Sequence, residues 1–260
     1  MERSEYDKLD RIEDRMWWFG AAHANLMAAY DLTAGLGQAD GPAGGADPGR
    51  VLDAGCGTGG LLAKLAVRYS DALVLGLDID PGAGRRARAK SGRPVCAGSL
   101  NALPFANGAF AAIFSADVLC HRDVDQARAL RQLHRVLGRD GRLVLNLPAY
   151  RWMLSRHDAA VYNVRRYTKK EIAALLGRAG FRPLFLSYWN MVLFPLMVVT
   201  RKLWTGRNRP VSDVRPFPGP VDALCRAATA IERALLRRGL PLPFGGSVIA
   251  VAVKAEGNVG

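Results

Sequence analysis

The sequence contains few cysteines, and they lie far apart. The four residues, Cys56, Cys96, Cys120 and Cys225, form no C-x-x-C pair. Zinc cages and disulfide frameworks require cysteines at short, regular spacings or in an oxidising compartment. We therefore expect no metal site, no disulfide bonds and a reducing, cytoplasmic location.

Long hydrophobic runs are also absent. The longest clean apolar stretch, residues 191–200 (MVLFPLMVVT), is half of the roughly 20 residues that a membrane-spanning helix needs. The first residues, MERSEYDKLDRIEDR, are too charged for a secretory signal. The chain is expected neither to span a membrane nor to be secreted.

Negative charge is scarce in the second half of the chain. Residues 1–150 carry 18 Lys and Arg against 17 Asp and Glu, whereas residues 151–260 carry 18 against 6. A basic surface attracts anionic small molecules, anionic membranes or nucleic acids. The alternative is a general preference for arginine that has no functional meaning.

From residue 50 onward, strand-like and helix-like segments alternate with short connections. Such alternation predicts a mostly parallel sheet with helices on both faces. A helical segment over residues 5–34 precedes it, followed by a Gly/Pro/Asp loop at 37–49. Strands are predicted at 50–55, 72–80, 93–100, 109–121, 141–148, 181–190 and 246–255.

The glycine-rich stretch VLDAGCGTGG (residues 51–60) lies between the first strand and the next helix. The helix N-terminus there favours an anionic group. Asp53 precedes the glycines, and a carboxylate repels a pyrophosphate but attracts an ammonium group. Asp78 follows Gly57 by 21 residues, where a carboxylate can bind ribose hydroxyls. A ligand with an amino acid at one end and a ribose at the other matches S-adenosylmethionine.

Five segments together resemble the ordered motifs of class I S-adenosylmethionine-dependent methyltransferases. They are VLDAGCGTGG, LGLDID, LPFANGAF, FSADVLCH and RVLGRDGRLVLNLPAY, within about residues 50–150. The resemblance implies a Rossmann-like α/β fold with a seven-stranded, mostly parallel sheet, and S-adenosylmethionine as cofactor.

The same resemblance assigns roles to residues of the cofactor site. Asp53 and the glycines would hold the methionine part, Asp78 the ribose, and Ile79 the adenine. Ser99, with the N–H of Leu100, stands where many members have an aspartate at the adenine amino group. The predicted cofactor-binding residues are Trp18, Asp53, Gly55, Cys56, Gly57, Gly59, Asp78, Ile79, Ser99, Leu100 and Asp117.

Three adjacent aromatic residues, Trp17, Trp18 and Phe19, cannot share one helix face. At least one is expected to face a ligand, since related methyltransferases place a similar segment over the cofactor. The alternative is core packing.

Two histidines are candidates for a general base. His121 ends the fourth predicted strand, at the sheet edge where the transferable methyl group is expected. His157 is followed by Asp158, which could orient it. His121 could equally be a wall residue of the site.

The segment after the fifth strand has poor apolar periodicity and is expected to lie over the active site. Its H-D…R-R-Y-T pattern, like the WWF segment, resembles a bacterial branch of the superfamily. Arg165 and Arg166 would pair with Asp158 or clamp a substrate carboxylate or phosphate. Thr168 and Glu171 predict a helix capping box. The predicted substrate-binding residues are Trp17, Tyr150, Trp152, Asp158, Arg165, Arg166 and Tyr167.

The chain is expected to have an N-terminal helical cap (1–36), a core (37–190 and 245–256) and a helical insertion (191–244). Pro195 is expected to interrupt the apolar start of this insertion. The insertion would roof a substrate pocket, contact a membrane surface through residues 191–204, or form a homodimer interface.

The predicted function is methyl transfer to O, N or C of a small or amphiphilic substrate. A hydrophobic amphiphile with an anionic head, such as a lipid or isoprenoid intermediate, is one such substrate. Nucleic-acid methylation is one alternative, and the sequence lacks the N/D-P-P-Y/F tetrapeptide associated with methylation of base amino groups. A non-catalytic binding module at the membrane surface is the other.

Overall fold

A seven-stranded sheet forms the centre of the computed structural model, which describes residues 3–34, 49–203 and 218–255. The strand order is β3-β2-β1-β4-β5-β7-β6. The strands are β1 (Arg50–Ala54), β2 (Leu73–Asp78), β3 (Val95–Ala97), β4 (Phe110–Ala116), β5 (Leu137–Pro148), β6 (Phe181–Trp189) and β7 (Ser247–Lys254).

Strands β1 to β5 pair in parallel, and β7 runs antiparallel to both β5 and β6. Runs of Val, Leu and Ile bury both faces of the central strands, as covered parallel sheets require. The carboxyl ends of β1, β2, β4 and β5 therefore meet at one edge. The predicted mostly parallel α/β sheet is confirmed.

Helices cover both faces of this sheet. Leu119, Leu133 and Leu176 belong to the core on one face, and Leu26, Leu62 and Leu236 to the core on the other. The helices are α1 (Arg3–Ile12), α2 (Trp17–Thr33), α3 (Gly60–Arg68), α4 (Pro81–Ser91), α5 (Gln126–Val136), α6 (Arg156–Ala160), α7 (Lys169–Arg178), α8 (Phe194–Leu203) and α9 (Gly219–Arg237).

Several local predictions were wrong. Strand β5 begins at Leu137 rather than at 141. The single helix expected over 5–34 is two helices, because α2 restarts at Trp17, whose N–H donates to Asp222 Oδ1 on α9 (3.1 Å). Strand β4 ends at Ala116 rather than 121, because Asp117 takes a positive φ of 56°. Pro195 does not interrupt α8 but is its second residue, where the missing N–H costs no helical hydrogen bond.

Other expectations fall partly outside the described residues. Almost all of the loop at 37–49 lies there, as do residues 204–217 of the predicted insertion. The capping box of Thr168 and Glu171 is confirmed at the start of α7. In the described part of the chain, no helix is long and apolar enough to cross a membrane. The domain boundaries stay predictions.

Candidate active site

The loop between β1 and α3 requires glycine at defined places. Gly55 and Gly59 have φ values of 87° and 96°, in the left-handed region that other residues rarely adopt. A Cβ on Gly55 would lie 2.3 Å from Val118 Cγ2, and one on Gly59 would lie 2.6 Å from Ala87 Cα. The loop is therefore held closely between α4 and the residues that follow β4, directly before the N-terminus of α3.

Asp53 is buried at the end of β1, beside this loop. Its carboxyl group accepts a hydrogen bond from the Leu62 backbone N–H, while Oδ2 is buried and has no partner. Burial, followed by the negative charges of Asp78 and Glu13, raises the pKa of Asp53 well above its usual range. A buried, unsatisfied carboxylate oxygen is costly, and a cationic ligand group would satisfy it. The residue thus serves as a helix cap and also retains an open acceptor.

Asp78 occupies the corresponding place at the end of β2. Its Oδ2 accepts the N–H of Gly57 (2.8 Å) and its Oδ1 accepts the N–H of Asp80 (2.9 Å). Its pKa is raised, chiefly by burial. Asp78 therefore connects the second strand directly to the glycine loop, as the sequence spacing suggested.

The residues predicted beside adenine lie near Asp78. The Gly98 N–H donates to the Asp78 carbonyl (2.9 Å), which brings the end of β3 to the same edge. Ile79 is 64% exposed, whereas Leu100 is buried. Ser99 Oγ accepts the N–H of Asn101 (3.2 Å), so its hydroxyl already takes part in a turn.

Helix α1 covers this edge, and the sequence analysis, which expected an N-terminal helical cap, named none of the contacts that α1 makes here. The Tyr6 hydroxyl is hydrogen-bonded to Asp78, and Leu9 Cδ2 lies 3.8 Å from where a Gly57 Cβ would be. Thr58 Oγ1 donates to Glu13 Oε1 (2.7 Å), just after α1. Asp10, Glu13 and Asp14 all pair with Lys90 of α4. The helical spacing of these three acids was the available signal.

Asp117 follows β4 at the same edge. Its Oδ2 accepts a hydrogen bond from Asn146 Nδ2 (3.0 Å), and Asn146 Oδ1 accepts one from Trp189 Nε1 (2.7 Å). The ring of Trp18 lies 5.7 Å from that of Trp189. Asp117 Oδ1 is buried without a partner. Burial raises the pKa of Asp117 to about 7.

The two candidate bases lie on different segments. His121 Nδ1 is 3.5 Å from Asp123 Oδ2, and its ring contacts that of Tyr162. Burial lowers the pKa of His121, so the imidazole is largely neutral near pH 7. His157 is half-buried on the short helix α6.

All three charged residues predicted to bind substrate, Asp158, Arg165 and Arg166, hold the segment between β5 and α7. Arg166 and Asp158 form a buried bidentate ion pair (2.8–3.0 Å), and Arg166 Nη1 donates to the Ala149 carbonyl. Of the two alternatives for Arg166, the structure shows the pair. Arg165 donates to the carbonyls of His121 and Val124. The Tyr167 hydroxyl donates to the Leu119 carbonyl (2.9 Å).

The predicted aromatic contacts separate into buried and exposed groups. Trp17 packs in the core, because α2 turns it toward the sheet. It was predicted to contact substrate, and the structure shows the alternative, core packing. Tyr150 stacks on Trp152 and Tyr188, with ring centroids 5.7 and 5.2 Å away. Phe194 and Phe244 extend this group, which we call the aromatic cluster. Trp152 is 51% exposed.

Comparison with known proteins matches residues 52–145 to a methyltransferase domain family. A malonyl-[acyl-carrier protein] O-methyltransferase of Geobacter sulfurreducens is 32% identical over 53% of this chain and 57% of its own length. The chain covers between 35% and 57% of the length of these curated relatives.

Two solved structures share the fold at low sequence identity. Geranyl diphosphate C-methyltransferase from Streptomyces coelicolor A3(2) has a TM-score of 0.54 at 16% identity, over 88% of this chain and 75% of that one. The [4+2]-cyclase SpnF has a TM-score of 0.56 at 21% identity, over 94% and 85%. The two structures show that the chain shares their fold, and the family match shows that residues 52–145 are similar to a methyltransferase domain.

Proposed function

We propose that the protein transfers a methyl group from S-adenosylmethionine to an O, N or C atom of a small or amphiphilic substrate. The observation that carries this proposal is the unpartnered Oδ2 of Asp53 beside the glycine loop, with Asp78 on the neighbouring strand. An ammonium group satisfies Asp53, and a ribose diol suits Asp78. These residues therefore fit the two ends of the cofactor.

The cofactor supplies an electrophilic methyl group on a sulfonium, which needs little further activation. The protein's contribution is then to position the acceptor and to exclude water. Asp53 and the loop amides would hold the methionine part, Asp78 the ribose, and Ile79 the adenine. Trp18 and α1 would cover the site.

The aromatic cluster supports an amphiphilic substrate. It lies where β5, β6 and β7 meet at the carboxyl edge, and it combines exposed rings with the cation of Lys169, 5.2 Å from the centre of the Tyr188 ring. An apolar chain with an anionic head would match both features. Relatives named for an acyl-carrier-bound substrate agree with this class.

The proposal is tested by methyl transfer from labelled S-adenosylmethionine to a panel of acceptors. The panel contains malonyl-acyl-carrier protein and a carboxylic acid, a phenol and an amine that share one alkyl chain. Transfer to at least one, lost in Trp152→Ala for the alkylated acceptors, supports the proposal. Cofactor binding without transfer to any acceptor in the panel would favour the non-catalytic alternative.

We further propose that α8 extends the aromatic cluster as a contact surface for the apolar part of the substrate or for the membrane that contains it. Leu196 and Val199 are 62% and 49% exposed on this helix, and Phe194 joins it to Tyr150. A homodimer through the same face is the competing arrangement. Among the described residues of the site, none favours nucleic acid as substrate.

A further inference from the structure

Asp117 has a buried carboxylate oxygen that the fold does not use. Of its two oxygens, Oδ2 is bound to Asn146, whereas Oδ1 is buried and has no partner. A buried acceptor without a donor costs free energy and needs a reason. Asp78, at the end of β2, differs in this respect, since both of its oxygens accept backbone N–H groups.

The fold holds Asp117 in place with several independent contacts. Its N–H donates to the Asn146 carbonyl (2.9 Å), and its φ of 56° is uncommon for a residue other than glycine. Asn146 is fixed in turn by Trp189 Nε1, and both of these side chains are fully buried. Trp189, Asn146 and Asp117 thus form a chain of hydrogen bonds that ends at the open Oδ1. Strain and fixed orientation of this kind are typical of functional residues.

The charged neighbours of Asp117 separate it from the cofactor carboxylates. Asp158 and Arg166, on the segment between β5 and α7, are the charges that act on it, and the Cys120 thiol shares the same surroundings. The charges that act on Asp53 are instead Asp78 and Glu13. The charges that act on Asp117 are therefore those of the segment between β5 and α7, whereas its sequence motif suggested a contact with the cofactor.

We propose that Asp117 Oδ1 binds the methyl acceptor by accepting a hydrogen bond from its O–H or N–H group, and takes that proton during transfer. This inference rests on the proposed function and narrows the acceptor to one that carries a proton on the attacking atom. The Asn146–Trp189 chain positions this carboxylate, and the Asp158–Arg166 pair acts on it through charge alone.

The step balances with the groups already named. The acceptor O–H or N–H bond breaks, its proton goes to Oδ1, and its electron pair remains on the acceptor atom. That atom forms a bond to the methyl carbon, while the carbon–sulfur bond breaks and leaves its electrons on sulfur. Protonated Asp117 then returns its proton to water.

The isosteric variant Asp117→Asn tests the proposal, with Asp117→Glu as a second variant. We expect kcat/KM for an O–H or N–H acceptor to fall about 100-fold or more in Asp117→Asn, as for loss of a general base. The fall in kcat/KM at acidic pH that the wild type shows should be absent from Asp117→Asn. In Asp117→Glu this fall should occur at a different pH, and the variant should keep partial activity. S-adenosylhomocysteine affinity should change less than about three-fold, about 0.6 kcal/mol.

A second readout requires no acceptor. Because burial raises the pKa of Asp117 to about 7, the folded state keeps a proton that the unfolded chain releases near pH 4. Its contribution to stability is complete below about pH 4 and is lost as pH rises to about 7. The Tm of Asp117→Asn relative to wild type should therefore rise between about pH 5 and pH 8. Carbon-13 NMR of labelled aspartate should show one resonance that titrates near neutrality and is missing from the variant.

Three results would overturn the proposal. Weaker S-adenosylhomocysteine binding by ten-fold or more in Asp117→Asn would make it a cofactor ligand. An unchanged kcat/KM and pH profile would make it structural. Efficient methylation of carboxylates alone, independent of Asp117, would exclude an X–H acceptor. If no acceptor is methylated, the proposed function fails, whereas the NMR titration still shows whether Asp117 has the open, protonatable oxygen.

Discussion

At the scale of single residues, the site depends on carboxylates and glycines whose environments differ sharply. Asp53, Asp78 and Asp117 end three neighbouring strands, yet only Asp78 has both oxygens bound to the backbone. Glycine is required at positions 55 and 59 because φ is positive there and because a Cβ would lie too close to neighbouring atoms. The glycines that shape this edge of the sheet can therefore be replaced by few other residues.

Gly59→Ala should show this requirement directly. Its φ of 96° and the 2.6 Å approach to Ala87 Cα leave no room for a methyl group. We expect a loss of about 1–3 kcal/mol in the free energy of unfolding and weaker S-adenosylhomocysteine binding.

Gly177→Ala is the matched control. Gly177 lies inside α7, and a Cβ there meets nothing within 4 Å. This change should leave binding intact and stabilise the fold by up to about 1 kcal/mol. Equal effects of the two substitutions in urea unfolding would contradict the role given to the loop.

At the scale of elements, α1 is the part that closes the edge of the proposed cofactor site. It is short, and its contacts with α4 are largely ionic. Asp10, Glu13 and Asp14 converge on Lys90, which is only partly exposed, and Tyr6 is bonded to Asp78. A ligand that binds the Asp78 carboxylate must therefore compete with Tyr6, and we expect α1 to limit its release.

Lys90→Met should loosen this cover. We expect S-adenosylhomocysteine to dissociate about five-fold faster, equivalent to about 1 kcal/mol for loss of a partly buried ion-pair network. Stopped-flow fluorescence measures this rate. Arg88→Met, an exposed residue of the same helix, is the control and should behave as wild type. A dissociation rate unaffected by Lys90→Met would show that α1 does not limit release.

The elements that the sequence predicted well are those whose signals are local. Strand alternation, the glycine loop and the Thr168–Glu171 capping box depend on neighbours in the chain. The Asp158–Arg166 pair was one of two alternatives, because sequence spacing does not show whether an arginine faces a carboxylate or a ligand. The α1–Lys90 contacts, the burial of Trp17 and the Trp189–Asn146–Asp117 chain join distant segments, and only the tertiary structure reveals them.

At the scale of the whole molecule, the uneven charge distribution requires an explanation. The second half of the chain carries 18 basic against 6 acidic residues, and it also contains the exposed apolar residues of α8. Together these features match an anionic, apolar partner, as a lipid-like substrate in a membrane would be.

Anionic vesicles should therefore bind the protein at low salt and release it as salt screens the charges. Leu196→Asp combined with Val199→Asp should abolish binding in a vesicle sedimentation assay. Val67→Asp on α3, where Val67 is 82% exposed, is the matched control. Absence of binding by the intact protein at low salt would exclude the membrane contact, and a smaller mass in solution for the α8 variant would indicate a dimer interface instead.

Calorimetric titration with S-adenosylhomocysteine tests the central claim most directly. The cofactor site assigned to Asp53, Asp78 and the glycine loop predicts a Kd on the order of micromolar for the wild type. Asp78→Asn should weaken binding about ten-fold or more, because it removes charge-assisted hydrogen bonds. Asp71→Asn, an exposed residue just before β2, should bind as wild type does. No binding by the wild-type protein, or equal binding by Asp78→Asn, would contradict the site.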